Sequence, residues 1–264
     1  MTPSLLAVFA DAHAHAEAFE AVIAAADASG ADALWSLGDM VGAGPDPDVV
    51  VTRTRERCSL ALMGNHDYGA TGSAEPTRFG EPGSPAVRSI ALARARLDDD
   101  TIAWMRSLRP AARRGDVQCW HGGPQNPVHQ YVGASNAGAC LTVQRASIGL
   151  VGHTHAAAAW LQTPRGAKRV TVRTGDALEL ADGKWLLNPG AVGAPVPPRR
   201  SWWSALDVDA AEGAFWLLLD LERRVATWHR APYDPAPARE RARALGLAAE
   251  DDQHPHGQGS SAST

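Results

Sequence analysis

The chain has 264 residues, 45% hydrophobic and 20% charged, with 25 Lys and Arg against 29 Asp and Glu for a formal net charge of −4. That balance excludes a mainly disordered or fibrous chain, offers no basic face for bulk nucleic acid or anionic membrane, and suffices to bury a core without a staple. Three cysteines without a Cys-x-x-Cys spacing read as reduced thiols, and no apolar run approaches the ~18 residues of a membrane span, so a cytoplasmic protein with no membrane partner is expected.

Leu5–Ala10 reads as a buried first strand, since no basic region precedes it as in a signal peptide. Ala16–Ser29 is an Ala-rich helix closed by Gly30, Ala33–Leu37 a strand, Asp48–Arg57 a helix and Leu60–Met63 a third strand. Val87–Leu108 carries helix with a break at Asp98-Asp99-Asp100. Val117–Trp120 follows as strand, Ser135–Arg145 as helix and Ile148–Val151 as strand. From about Trp160 the alternation stops. Arg169–Thr174, Trp185–Leu187, Trp203–Asp209, Ala214–Leu219 and Arg223–Arg230 read as strands without intervening helices, with turns near Gly183 and Gly213. Together these predict an α/β sandwich of two stacked mixed sheets flanked by helices. The expected domain covers residues 1–235, followed by a short basic helix within Ala236–Ala249 and a disordered polar tail, Glu250–Thr264. Two loops, Ala70–Pro85 and Gly122–Gly133, are long enough to be functional; the second carries Gln125, Asn126, His129 and Tyr131.

The chemistry lies at the strand ends. Asp11-Ala12-His13 ends the first strand, Gly38-Asp39 the second and Gly64-Asn65-His66-Asp67 the third. His121 follows Val117–Trp120, and Gly152-His153-Thr154-His155 follows Ile148–Val151. Ligands of α/β sheets bind outside the carboxyl ends of strands, so these residues should meet at one edge. Asp11, Asp39, Asn65, His13, His121, His153 and His155 are too many donors for one tetrahedral ion. They suit two ions about 3.5–4 Å apart sharing a carboxylate. Two divalent cations against Asp11 and Asp39 leave a charge that a phosphate matches, or one unit less beside a bridging hydroxide. The imidazole, carboxylate and amide mix suits Mn, Fe, Zn, Ni or Co over Ca.

Asp11-x-His13, Gly38-Asp39-x-Val41-Gly42, Gly64-Asn65-His66-Asp67, His121-Gly122 and Gly152-His153-x-His155 resemble, in order, the signature blocks of the calcineurin-like metallophosphoesterases. Gly42–Pro47, Asn188–Gly193 and the run ending Ala231-Pro232-Tyr233-Asp234 are similar to a bacterial branch of compact phosphodiesterase-like members. The resemblance implies the αββα sandwich of that superfamily and a dinuclear phosphoesterase working through a metal-bridging hydroxide. It implies Asp11, His13 and His155 on the first metal, Asp39 as bridge, and Asn65, His121 and His153 on the second. His66, held by Asp67, is then the general acid or a stabiliser of transition-state charge, and Mn the favoured ion. One block departs from the pattern: Ala14-His15 replaces the usual Gly-Asn, which makes His15 either a phosphate contact or the start of the helix.

Arg78 is a further candidate for substrate binding. Asn188-Pro189-Gly190 reads as a structural turn, Arg199 and Arg200 as solvated, Trp202-Trp203 as packing groups, and His129, His229, His254 and His256 as surface residues. The run after Gly38-Asp39 lacks the Gly-Asp-x-x-Asp-Arg-Gly of protein serine/threonine phosphatases and symmetrical dinucleoside-tetraphosphate hydrolases. Hydrolysis of small phosphodiesters is therefore expected, with phosphomonoester hydrolysis at the same site as the alternative. A nuclease lacks its basic groove, and a metal-free scaffold would have shed ligands that are all present here. Oligomeric state is left open.

Overall fold

The computed structural model describes residues 3–193 and 213–247. The first strand, β1 (Leu5–Phe9), leads into α1 (Ala16–Ala28), β2 (Ala33–Ser36), α2 (Pro47–Arg57) and β3 (Cys58–Ala61). A short α3 (Asn65–Ala70), a 3-10 turn at Pro76–Phe79, α4 (Pro85–Arg96) and α5 (Asp99–Ser107) follow. The chain continues through β4 (Ala111–Arg114), β5 (Val117–Trp120), α6 (Ala137–Val143), β6 (Ile148–Val151), β7 (Ala158–Thr163), β8 (Gly166–Val170) and β9 (Ala177–Glu179). It then forms β10 (Trp185–Asn188), β11 (Ala214–Asp220), β12 (Val225–Ala231) and α7 (Ala236–Ala244).

Among the described residues these strands make two six-stranded sheets, ordered β3-β2-β1-β11-β12-β9 and β4-β5-β6-β10-β7-β8. Both are mixed. β1, β2 and β3 run parallel, as do β5, β6 and β10, while the remaining pairs are antiparallel. Strand alternation explains the layers. Leu6 and Val8 of β1 point between the sheets, against a core that includes Val117, Ile148, Leu150 and Leu187. Ala7 and Phe9 point the other way, under α1, where Phe9 meets Phe19 edge-on at 5.3 Å. On α1 the buried Ala18, Phe19, Val22, Ile23 and Ala26 form one helical stripe facing that layer.

The break between α4 and α5 falls where the acidic run stands, because Asp98 caps α5 by accepting the Thr101 N–H at 2.8 Å. The third strand starts earlier than expected, at Cys58. Leu62 still donates to the Ser36 carbonyl of β2 while bridging to Arg109, and the Met63 N–H bonds the Arg109 carbonyl, next to the second sheet. The strand expected over Arg169–Thr174 is β8, shifted toward the N-terminus by its hairpin with β7; Thr174 instead bridges to Trp228. Two strands lack a sequence signal for a plain reason. β4 is a polar edge strand of sequence Ala-Ala-Arg-Arg and β9 has three residues, so neither shows apolar alternation. At the far end, Arg241 of α7 bonds both carboxylate oxygens of Asp46, at 3.0 and 2.7 Å, and Glu17 at 2.6 Å. That ties the last helix to the loop after Asp39. No described helix is long and apolar enough to cross a membrane. The expected strand Trp203–Asp209, the tail Glu250–Thr264, and Arg199, Arg200 and Trp202 lie outside the described residues.

Leu150 is wholly buried between the sheets. Leu150→Ala is expected to cost about 2–5 kcal/mol through lost burial and the cavity left behind. A urea midpoint indistinguishable from the parent would show that the inter-sheet layer is not the stabilising core.

Candidate metal centre

Three parallel strands of one sheet and two of the other end at the same crevice. Asp11 and His13 follow β1, Asp39 follows β2, Asn65 and His66 follow β3, His121 follows β5, and His153 and His155 follow β6. The sheets are stitched together here. The His153 N–H donates to both Asp11 carboxylate oxygens, at 3.2 and 3.0 Å, and the His121 Nδ1–H donates to the Leu37 carbonyl at 2.9 Å. Gly38 and Gly64 permit the approach. A Cβ on Gly38 would lie 2.9 Å from His121 Nδ1, and one on Gly64 would collide with the Asp39 carboxylate.

The backbone is held in an unusual state. Asp11, His13, Asp39, His153 and His155 all have φ between +48° and +64°, in the left-handed region. Such residues cost about 1 kcal/mol or more each and persist where surrounding structure compels them, mostly at functional sites.

The donors fall into two sets. Asp11, His13 and His155 offer ligand atoms within 4.8 Å of one another, as do Asp39, His121 and His153. Asn65 joins the second set through Oδ1, 3.0 Å from His121 Nε2. Asp39 Oδ2 stands between the sets, 3.7 Å from His13 Nε2 and 3.5 Å from His121 Nε2. The imidazoles are oriented for ligation. His13 donates from Nδ1 to the Val41 carbonyl at 3.2 Å, which turns Nε2 toward His155 Nε2, 2.9 Å away. His153 Nε2 is buried without a hydrogen-bond partner. An unpartnered buried nitrogen and two ring nitrogens aimed at one point fit a cation better than a hydrogen-bond network.

Electrostatics agree. Burial pushes the Asp11 and Asp39 carboxyls well above the usual carboxylate range, while it holds the His13 and His121 rings well below the usual imidazole range. It also lowers His153 to about 3 and His155 to about 4. Neutral imidazoles are ready ligands, and a cation bound here would favour the ionised form of the buried carboxylates.

Asp67 is placed differently from the role implied for it. Its carboxylate accepts the backbone N–H groups of Asp39, Met40, Val41 and Gly64 at 2.8–3.2 Å and makes no hydrogen bond to the His66 ring. It therefore shapes the Asp39 loop. Burial pushes this carboxyl up to about 7, with those N–H groups pulling the other way. His66 is held instead by packing, edge-on to His13 at 4.7 Å and tilted on Phe79 at 4.9 Å. Its backbone N–H donates to Asp39 Oδ1, and Gly42, at φ +95°, leaves the room a Cβ would deny the ring. A third donor group, His13, Asp39 and His66, keeps His66 beside both sets.

His15 stands at the residue before α1 without a side-chain capping bond, with Asp46, Glu17, Arg239 and Arg241 as its charged neighbours and the His13 ring also within its field. Arg78 lies exposed on the 3-10 turn beside Phe79; burial, and after it the Arg78 guanidinium, lowers the pKa of His129. Asn188 is wholly buried. Its Nδ2 donates to the Gly152 carbonyl and Thr154 Oγ1, both at 2.9 Å, and its Oδ1 accepts the Gly190 N–H, so the expected turn also braces the His153 loop. Of two rim residues, Phe79 had not been singled out and Tyr131 only as part of its long loop. Phe79 covers His66, and Tyr131 lies against His153 with centroids 4.0 Å apart; burial, Asp39 and Asp11 raise its phenol. An aromatic residue in each long loop was the available signal.

Asp67→Asn is expected to lower metal affinity roughly 10–100-fold, because a positioning group of the Asp39 loop is lost. His66→Ala should bind metal as the parent does. Elemental analysis of both variants after dialysis decides; full metal retention in Asp67→Asn would return Asp67 to the role of orienting His66.

Residues 5–211 match the family model described as the calcineurin-like phosphoesterase superfamily domain. A metallophosphoesterase structure from Sphaerobacter thermophilus superposes with a TM-score of 0.78 at 26% identity, covering 93% of this chain and 95% of that one. An uncharacterised protein of Methanocaldococcus jannaschii is 27% identical over 74% of this chain and 79% of its own length. A symmetrical bis(5'-nucleosyl)-tetraphosphatase of an Acidovorax species is 35% identical over 119 residues, 40% of each chain. With the family model spanning most of its length, the chain belongs to the calcineurin-like phosphoesterase superfamily.

Proposed function

We propose that the protein hydrolyses small phosphodiesters at this crevice with two divalent transition-metal ions bound. The observation that carries the reading is the pair of donor sets with Asp39 of the second standing 3.7 Å from His13 of the first. Asp11, His13 and His155 would hold one ion, Asn65, His121 and His153 the other, and Asp39 would serve both. Bound ions supply Lewis-acid contact to a phosphoryl oxygen and a water whose pKa is near ~7. Mn suits this donor mixture, as do Fe, Zn, Ni and Co.

The chain's own groups do the rest. Asp67 holds the Asp39 loop by its backbone, and the Val41 and Leu37 carbonyls fix the His13 and His121 rings. His66 would deliver a proton to the leaving oxygen: burial lowers its imidazole to about 4, so it rests neutral and would first take up a proton from solvent as the phosphate anion binds beside it, then pass that proton on and return to the neutral ring. Charge favours a diester. Two divalent ions against Asp11 and Asp39, with a hydroxide nucleophile, leave one positive charge, which a diester monoanion neutralises. Among the described residues the ion pairs of Asp11 and Asp39 run to imidazoles. Arg78 supports the second reading, phosphomonoester hydrolysis, since a guanidinium beside His129 at the rim would meet the extra charge.

Hydrolysis of bis(p-nitrophenyl) phosphate and p-nitrophenyl phosphate, by protein first chelated and then reloaded with Mn²⁺, tests the proposal. Metal-dependent turnover with the diester faster is expected, and His66→Ala should lower kcat by about 10²–10⁴ while keeping its metal. Faster monoester turnover contradicts the diester reading; full activity after chelation contradicts the metal site.

A further inference from the structure

Asp46 occupies the residue before α2, where an aspartate ordinarily accepts an N–H of the first helical turn, yet its side chain makes no capping bond. Both of its carboxylate oxygens are taken by Arg241 of α7, 195 positions later, through Nε at 3.0 Å and Nη2 at 2.7 Å. The same guanidinium reaches Glu17 of α1 at 2.6 Å. Asp46 is buried, so its charge needs this partner. A helix cap has been given up for a tie to the last described helix.

The loop anchored in this way lies on a proposed ligand. His13 and Ala14 donate to the carbonyls of Asp39 and Met40 at 2.9 and 2.8 Å, and their own carbonyls accept the N–H groups of Gly44 and Asp46 at 2.8 and 3.0 Å. A Cβ on Gly44 would collide with the His13 carbonyl, so the approach is close. Val41, in the same loop, accepts the His13 Nδ1–H. His13, Ala14 and Ala43 all have φ between +48° and +59°, which they keep only while neighbouring bonds compel it. Asp67 fixes the front of the loop through the N–H groups of Asp39, Met40 and Val41. Its back, at Asp46, is fixed by Arg241. His121 is held instead by the Leu37 carbonyl, ahead of the loop, so the second donor set depends on it less.

We propose that Arg241 is a positioning residue of the metal centre: by gripping Asp46 it clamps the loop onto His13 and Ala14, and so sets the His13 ring within the Asp11, His13 and His155 donor set. The inference rests on the two-ion reading of the crevice and adds α7 to what builds it. Arg96 donates to the Pro45 carbonyl at 2.9 Å, so one tie survives the loss of Arg241 and the effect is a weakening, not an abolition.

Calorimetric titration of the chelated protein with Mn²⁺ is the test, with circular dichroism confirming the fold of each variant. The parent should show two affinities, and His155→Ala, which removes a donor of the first set, marks the one that belongs there. In Arg241→Ala that affinity should fall on the order of tenfold while the other stays. Asp46→Asn should do the same with α7 and its Glu17 tie in place, and it carries the test alone if Arg241→Ala does not fold. Glu17→Gln, which loosens only the tie to α1, should match the parent. Unchanged affinities in the folded Arg241→Ala or Asp46→Asn protein, or equal falls of both affinities, overturn the proposal. A loss in Glu17→Gln equal to that in Asp46→Asn also overturns it, because general docking of α7 would then explain the effect. The two-ion reading fails separately: a parent that binds fewer than two ions refutes that reading, and the proposal with it, before any variant is compared.

Discussion

Three carboxylates, Asp11, Asp39 and Asp67, are each at most 1% exposed where the two sheets meet. Burying an anion is tolerable only when its charge is answered. The answers differ. Asp67 receives four backbone N–H groups and is satisfied by the loop it organises. Asp11 receives the His153 N–H, and Asp39 receives the N–H of His66. Their other near neighbours are imidazoles whose burial keeps them neutral. Two carboxylates left short of positive charge are a demand for cations, and this imbalance separates the proposed ligands from the scaffold.

The rest of the molecule serves that arrangement. Left-handed backbone at five of the seven candidate ligands is stored strain, and the bonds that oppose it are specific. Val192 and Gly193 donate to the carbonyls of Ala10 and Asp11, and Asn188 ties down the loop before His153. Arg241 reaches from the last helix to Asp46, whose own N–H bonds the Ala14 carbonyl. The Asn188–Gly193 turn and α7 thus act on the site although neither supplies a proposed ligand.

Much of the site was legible because its residues follow strands that are themselves legible. Val117–Trp120 and Ile148–Val151 are apolar runs with unchanged boundaries in the structure, so His121 and His153 fall where expected. The sandwich followed from the same pattern of strands and helices. The role of Asp67 was not readable, because it depends on which backbone amides a distant loop presents. The edge strand β4 was hidden by its arginines, whereas β7 was passed over although Pro164 and Gly166 mark the turn of its hairpin. Tyr131 could be placed in a long loop but not against His153, since 22 positions and a sheet register separate them.

The central claim, two cations held around Asp39, is tested most directly by anomalous scattering from crystals grown with Mn²⁺. Two peaks about 3.5–4 Å apart are predicted, one among Asp11, His13 and His155 and one among Asn65, His121 and His153, with Asp39 touching both. A single peak, or manganese bound away from Asp39, would contradict it.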